Sequence, residues 1–132
     1  MTLFRIVALY TALNLLLAPF LMFRVGGQRL AKKVDLGDGG DDILLRRIRA
    51  HGNFTENAPL ALIGLFALAF MNAAPLILHV LGAGFFIGRV AHAMGMAKVF
   101  GQGRLVGTLL TLMSHLGTSG ILLYLIFTFK AI

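Results

Sequence analysis

The chain contains no cysteine and few charged residues of either sign. With no thiol among its 132 residues, it can form no disulfide, no thiolate metal site and no cysteine nucleophile. Charged residues make up 13% of the sequence, while hydrophobic residues make up 58%. A soluble domain of this size would have to expose large apolar patches to water. The composition therefore predicts a protein whose solvent is lipid, with its function confined to a membrane bundle and short loops.

Four apolar segments follow one another, and each is long enough to cross a bilayer as a helix. We predict an all-α membrane protein with one domain, residues 1–132, whose spans cover residues 3–23, 43–71, 75–97 and 104–129. A solvated loop rich in aspartate and glycine is expected over residues 24–42, and a tight turn at Asn72 and Pro75. A signal peptide is disfavoured for the first segment, because no cleavage motif follows it and three further spans make the protein polytopic.

The net charge of +7 comes from lysines and arginines that flank the apolar segments. They form no stripe on a soluble face, which argues against a nucleic-acid partner. Most of them lie on the side of the first and third loops: Arg24, Arg29, Lys32, Lys33, Arg46, Arg47, Lys98 and Arg104. Only Arg5 and Lys130 flank the other side. The positive-inside rule therefore predicts cytoplasmic basic loops, with both termini and the Asn72 turn on the periplasmic side.

The second span carries a polar stripe. At about 100° per residue, five side chains fall within about a quarter of the helix circumference: Arg46, Arg49, Asn53, Glu56 and Asn57. An unpaired Glu56 carboxylate would be costly in hydrocarbon, so it needs a partner. Counted from the turn, Glu56 and Arg89 lie at similar depth in an antiparallel hairpin, which predicts an ion pair between them. The same count sets Asn53 level with His92.

Polar residues also share one side of the fourth span: Arg104, Thr108, Thr111, His115 and Thr118. We expect the polar faces of the last three spans to converge on a cavity open to the cytoplasm. Structural alternatives remain: the ion pair could only lock the hairpin, Arg49 and Asn53 could serve snorkelling and helix contacts, and the threonines could bond only to their own backbone. Gly84 and Gly88 predict close helix packing. The histidines lack metal-ligand spacing, so no metal site is expected.

A membrane cavity with surplus arginine suits an anionic, hydrogen-bonding ligand that arrives from the cytoplasm. The positive charge is expected from Arg29, Arg49, Arg104 and a partly neutralised Arg89. Glutathione has matching chemistry, because it offers two carboxylates for arginine, an amine for a carboxylate, and a thiol whose ionisation a nearby arginine favours. A second, lipophilic substrate could enter from the bilayer.

Three segments carry a resemblance to a known family. Residues 46–60, which read RRIRAHGNFTENAPL, resemble the second-helix signature of the MAPEG proteins, the membrane-associated proteins of eicosanoid and glutathione metabolism. Residues 88–92, GRVAH, are similar to the third-helix motif of that family, and residues 29–33, RLAKK, to its first loop. The resemblance covers nearly the whole chain, and the LGDGG segment before the second span is similar to small bacterial members.

The resemblance implies a homotrimer that binds glutathione between neighbouring subunits near the cytoplasmic surface. The residues that match family positions lining or bracing this site are Arg29, Arg49, Asn53, Glu56, Arg89 and His92. Arg104 matches, across a one-residue gap, the arginine thought to stabilise the glutathione thiolate. The chain departs from the family where Met96 and Asn57 replace tyrosines and Gly52 replaces a basic residue of the prostaglandin-forming branch. These departures argue against eicosanoid specificity.

The leading hypothesis is a glutathione transferase or peroxidase that acts on lipophilic electrophiles or lipid hydroperoxides. In this hypothesis, the thiolate forms beside Arg104. The alternative is a non-catalytic membrane protein that binds a lipid or a partner, similar to the five-lipoxygenase-activating branch of the same family, and Met96 favours it. A small transporter or channel has less support, because the central spans are apolar in the half near Asn72.

Overall fold

The computed structural model describes residues 1–128, which form four α-helices. Their bounds are α1 Leu3–Lys32, α2 Asp42–Phe70, α3 Pro75–Met96 and α4 Gly103–Thr128. By length and composition, all four are candidate membrane spans. The predicted all-α bundle of four spanning helices is therefore confirmed. Phe129, the last residue of the predicted fourth span, and Lys130 lie outside the described residues.

Helix α1 is longer than the sequence predicts. The segment from Arg24 to Lys32, predicted as the start of a solvated loop, is helical. The prediction was wrong because hydropathy marks where a helix leaves lipid, whereas a helix ends where its backbone hydrogen bonds end. Here it ends at Lys33, which adopts the left-handed conformation with φ 56°. The Arg29 guanidinium donates to the carbonyls of Asp35 at 3.1 Å and Gly37 at 2.9 Å.

Helices α2 and α3 form the centre of the bundle. Helix α1 packs against both of them on one side and α4 packs against both on the other, while α1 and α4 do not pack together within residues 1–128. The predicted tight turn joins the central pair: Asn72 has φ 55° and Pro75 is the first residue of α3. Proline suits that position because its missing N–H would have had no helical partner. We call the opposite end, formed by the α1–α2 loop (residues 33–41) and the α3–α4 loop (residues 97–102), the basic end.

Glycines bring α3 and α4 into backbone contact. A Cβ atom on Gly88 would lie 3.1 Å from the carbonyl oxygen of Gly107, and one on Gly107 would lie 2.5 Å from that of Gly88. A Cβ atom on Gly84 would lie 3.2 Å from the Ser114 hydroxyl. The predicted role of Gly84 and Gly88 in close packing is confirmed, and α4 is the helix they face.

The interior contains two apolar clusters, and the exterior is apolar too. Nearer the Asn72 turn, the buried cluster consists of Ile6, Val7, Tyr10, Leu65, Leu68, Ala69, Ala73, Leu78 and Leu81. Nearer the basic end, it consists of Leu21, Phe54, Ala58, Ala61, Phe85 and Ala93. Leu16, Phe23 and Phe70 are each 72% exposed. An outer surface of this kind is stable in lipid and would aggregate in water.

Asp41, the last residue of the α1–α2 loop, bonds to the helices on both sides of the loop. Asp41 caps α2 by accepting a hydrogen bond from the Leu44 backbone N–H at 2.7 Å. It also accepts one from Gln28 at 3.0 Å, and Lys32 lies 3.2 Å from its carboxylate. The Leu44 hydrogen bond, followed by the Gln28 hydrogen bond and the Lys32 charge, holds the pKa of Asp41 below its ordinary value of 3.8. Asp41 therefore ties the end of α1 to the start of α2.

Asp41 should make stability depend on pH below 4. Since its pKa is lower in the folded state, its stabilising contribution is complete above the unfolded value of 3.8 and is lost as the pH falls through the folded value. Asp41→Asn keeps a capping oxygen but does not titrate. We expect the thermal midpoint of this variant to fall less steeply with acid than that of the wild type. Asp35→Asn, in the same loop, is the control, and a wild-type slope in Asp41→Asn would contradict the prediction.

Candidate functional site

A polar cavity opens between α2, α3 and α4 in the half of the bundle nearer the basic end. Its volume is about 270 Å³, and it is lined by Asn53, Asn57, Arg89, Thr108, Thr111, Leu112 and His115. We call it the polar cavity. Each of the three helices contributes polar residues to it, which include part of the predicted stripes on the second and fourth spans and Arg89. Arg46, the first residue of the second-span stripe, lines a different cavity. The convergence of the three polar faces follows from the α3–α4 glycine contact, which brings Thr111 within reach of Arg89.

Arg89 is the centre of the hydrogen bonds around this cavity. It is 2% exposed. Its Nη1 donates to the Asn53 side-chain oxygen, and its Nη2 donates to the Thr111 hydroxyl and, at 3.1 Å, to the Gly107 carbonyl. Its guanidinium also lies 5.7 Å from the centre of the Phe85 ring, a cation–π arrangement. Arg89 therefore links the three helices that form the cavity.

The predicted ion pair between Glu56 and Arg89 is absent from the described part of the chain. Glu56 is exposed, and Arg89 bonds to Asn53 instead. Counting residues from the turn sets the depth of a side chain in the hairpin but not its direction around the helix. Glu56 follows Asn53 by three residues, so it points about 60° away from the direction that reaches Arg89. Arg89 is thus buried against dipoles and hydroxyls and has no carboxylate partner within residues 1–128.

Threonines on α4 combine two roles. Thr108 donates to the Arg104 carbonyl and Thr111 to the Gly107 carbonyl, both at 2.8 Å, which is the backbone bonding considered as the structural alternative. Thr111 additionally accepts a hydrogen bond from Arg89. Bonding to the helix backbone is therefore found at both residues, and Thr111 also takes part in the hydrogen bonds of Arg89.

His115 belongs to the cavity, although the sequence-based site residues did not include it. Its Nδ1 lies 2.9 Å from the Thr111 carbonyl, and a carbonyl can only accept, so Nδ1 is the protonated nitrogen. In the neutral ring, Nε2 is then an acceptor, and this atom is buried with no partner among the described residues. The ring thus offers a hydrogen-bond acceptor next to the Arg89 network. Its place four residues after Thr111, on the same helix face, was the signal for it in the sequence.

The polar cavity is not lined by Arg49, His92 or Arg104, three other predicted site residues. Arg49 and Arg104 are both exposed, one helical turn beyond Asn53 and Thr108 in the direction of the basic end. His92 is buried on α3, where a Cβ atom on Gly107 would lie 2.6 Å from the His92 Cβ. The structure thus joins Asn53 to Arg89 directly. Arg49 and His92 lie within about a turn of this pair along their own helices, whereas the backbone of Arg104 lies against Gly95, six residues along α3 from Arg89.

Arg29 lies apart from this group. Its guanidinium is bonded to carbonyls of the α1–α2 loop, and it contributes to a separate surface cleft with Gly26, Leu30, Lys33, Val34 and Asp35. Met96, which replaces a family tyrosine, lines another cavity, between α1, α2 and α3. Within this chain, these two positions are therefore not part of the polar cavity.

Comparison with known proteins agrees with the fold and the motifs. The sequence matches the family model of the MAPEG family over residues 7–124. It is 34% identical over 88 residues to the inner membrane protein YecN of Escherichia coli strain K12, an alignment that covers 67% of each chain. The protein of the same name from Escherichia coli O6:H1 aligns with the same identity and coverage. No solved structure matches the chain. With four apolar helices and a family match over most of its length, the chain belongs to the MAPEG family of membrane proteins.

Proposed function

We propose that this protein is a bacterial inner-membrane glutathione transferase or peroxidase that acts as a homotrimer on lipophilic electrophiles or lipid hydroperoxides. The observation that carries the proposal is the excess of positive charge in the polar cavity and on the side of it nearer the basic end. Arg89 is buried without a carboxylate partner in residues 1–128, and Arg49 and Arg104 are exposed one turn nearer the basic end. An anionic tripeptide would neutralise this charge.

The chemistry follows from the ligand and these charges. Arg104 would stabilise the glutathione thiolate, because a nearby cation favours the charged form of a thiol. The thiolate sulfur attacks an electrophilic carbon, forms a C–S bond and expels the leaving group. With a hydroperoxide, the sulfur attacks the terminal oxygen and the O–O bond breaks. A sulfenic acid and an alkoxide form, and the alkoxide takes a proton from water to become the alcohol. A second glutathione then converts the sulfenic acid into glutathione disulfide and water.

The membrane orientation predicted from the basic loops would give access from two sides. With the basic loops in the cytoplasm and both termini on the periplasmic side, glutathione would reach the polar cavity from the cytoplasm. A further cavity follows along the α2–α4 groove, lined by Leu60, Ala61, Ile63, Gly64, Ala67, His115, Thr118, Ser119 and Leu122. His115 lines both cavities. A lipophilic substrate entering along this groove would therefore reach the polar cavity at His115.

Glutathione should raise the thermal midpoint of the purified protein. Only a ligand that prefers the folded state does so, and the rise grows with ligand concentration over Kd. Loss of one charge-assisted contact at Arg49 is expected to weaken binding by about tenfold or more. We therefore expect Arg49→Gln to lose most of the shift. Arg5→Gln, which removes the same charge near the start of α1 and far from the basic end, should keep the shift. Equal shifts in the two variants, or no shift in the wild type, would refute a glutathione site at this position.

A second candidate is a non-catalytic protein that binds a lipid. An apolar cavity of about 490 Å³ near the Asn72 turn favours it, since it is open to the bilayer side of the bundle and lined by Phe66, Ala67, Phe70, Met71, Leu122 and Ile126. Met96 favours it as well, because the thioether lacks the hydroxyl of the family tyrosine. The two candidates separate in the same thermal experiment: a fatty acid that raises the midpoint while glutathione does not would support the lipid binder.

A further inference from the structure

A second cavity lies on the other side of the central helices, between α1, α2 and α3 at the basic end. Its volume is about 380 Å³, and we call it the basic cavity. Four of its lining residues are cationic: Arg24, Arg46, Arg47 and Lys98. No residue of α4 lines it, whereas the polar cavity has no lining residue from α1. The two cavities are therefore separate sites within one subunit.

The positive charge of the basic cavity is only partly balanced. Arg46 pairs with Asp42, whose side chain is 71% exposed. No other lining cation has an acidic partner within residues 1–128. Arg47 donates from Nη1 to the Arg24 carbonyl at 2.9 Å, and its Nε is buried without a partner among the described residues. Like charges held this close repel one another, so an anion in the cavity would be stabilised by all of them.

The location and lining restrict the kind of anion. The cavity floor contains Ala50, Ala93 and Met96, so part of the occupant contacts apolar surface. On α1, the Arg24 guanidinium lies 5.8 Å from the centre of the Phe20 ring, and Phe20 and Phe23 are exposed to the lipid side of the helix. Basic pockets between transmembrane helices at this depth suit phospholipid head groups. The planar guanidinium of arginine can also donate two parallel hydrogen bonds to the oxygens of a phosphate, which the point charge of lysine cannot.

We propose that the basic cavity binds a phosphate group, carried by an anionic phospholipid of the surrounding bilayer. Arg47 and Arg24 contact the phosphate oxygens, Lys98 closes the site from the α3–α4 loop, and the apolar floor contacts the glycerol and the first methylenes of the acyl chains. The bound lipid joins α1 to α2 and α3 at the basic end. This site is independent of the thiol chemistry proposed for the polar cavity.

The experiment compares three additives on the full chain in uncharged detergent at constant ionic strength: phosphatidylglycerol, phosphatidylcholine and inorganic phosphate. Each is scored by the rise in thermal midpoint, and bound lipid is counted by native mass spectrometry. We expect phosphatidylglycerol to raise the midpoint most and to remain bound. Arg47→Gln and Lys98→Gln should each weaken its binding by about tenfold or more, as expected for loss of one charge-assisted contact. Lys33→Gln, which removes the same charge at the basic end but outside the cavity, should bind as the wild type does.

Each outcome decides a part of the proposal. Equal effects of phosphatidylglycerol and phosphatidylcholine, or equal losses in Arg47→Gln and Lys33→Gln, would overturn the site, because the response would then reflect overall charge. A response to inorganic phosphate that matches the lipid and needs Arg47 would keep the phosphate site but overturn the lipid as its carrier. If Arg47→Gln does not fold, Lys98→Gln, in a loop, still gives the answer. A glutathione response that disappears in Lys98→Gln would overturn the separation of the two cavities.

Discussion

Replacing Gly107 with alanine is expected to destabilise the bundle by about 3 kcal/mol, the top of the usual range for overpacked positions. The added Cβ would lie 2.5 Å from the Gly88 carbonyl oxygen, and 2.6 Å from both the backbone nitrogen and the Cβ of His92. Two of these three atoms belong to the backbone of α3, so no side-chain rotation can relieve the contact. The helices must move apart, which also lengthens the hydrogen bond from Arg89 to the Gly107 carbonyl.

Gly120→Ala is the matched control, because a Cβ at Gly120 on the same helix has nothing within 4 Å. There, alanine should be neutral or stabilising by up to about 1 kcal/mol, since it favours helix. The free energy of unfolding of both variants can be measured by titrating detergent micelles with a denaturing detergent. Comparable stabilities of Gly107→Ala and Gly120→Ala would show that α3 and α4 do not pack through these glycines.

Replacing Arg104 with glutamine should lower the rate of glutathione conjugation about fifty-fold at pH 7. A thiol with a pKa of about 9 is about 1% ionised at that pH, while one lowered by about two units is half ionised. The shift corresponds to about 2.7 kcal/mol, which a single cation in a partly dry site can supply. The rate constant for a soluble aryl halide should therefore decrease in the variant and recover as the pH rises toward about 10, where either thiol is ionised.

Arg104→Lys tests whether charge is the cause. Lysine keeps the positive charge and loses the planar fork, so it should retain most of the ionisation at neutral pH. The measurement is the pH profile of kcat for the wild type and both variants in nanodiscs. Profiles that differ in height but have the same midpoint would mean that Arg104 positions the substrate and does not set the ionisation of the thiol.

The number and order of the helices could be predicted from the sequence because apolar length alone decides which segments cross a bilayer. The end of α1 could not. Residues 24–32 are polar enough for water, yet they remain helical until Lys33 adopts a left-handed backbone conformation. Close packing of Gly88 could also be predicted, but its partner could not, because glycine spacing on one helix says nothing about which neighbour approaches it. The structure identifies Gly107 on α4 as that partner.

The position of the site residues along the helix hairpin could be predicted from the sequence. The direction in which their side chains point could be predicted less well. Counting from the Asn72 turn correctly placed α2 and α3 side by side, and the stripes on the second and fourth spans correctly pointed toward a shared cavity. The choice of Glu56 as the partner of Arg89 was wrong, because charge complementarity favours a carboxylate, whereas the direction of the side chain favours Asn53. The basic cavity was not foreseen, since Arg24 and Arg47 were explained by membrane topology and Arg46 was also assigned to the stripe facing the polar cavity.

Arg89 also has a consequence for how the chain is made. A helix that carries an arginine in its membrane-crossing part partitions poorly from the translocon into lipid, at a cost of about 2.5–3.5 kcal/mol for a central position. The acceptors that satisfy this arginine are supplied by α2, which is synthesised before α3, and by α4, which is synthesised after it. Integration of α3 is therefore expected to occur jointly with α2 as a helical hairpin, and the guanidinium to reach its final surroundings only once translation of α4 is complete.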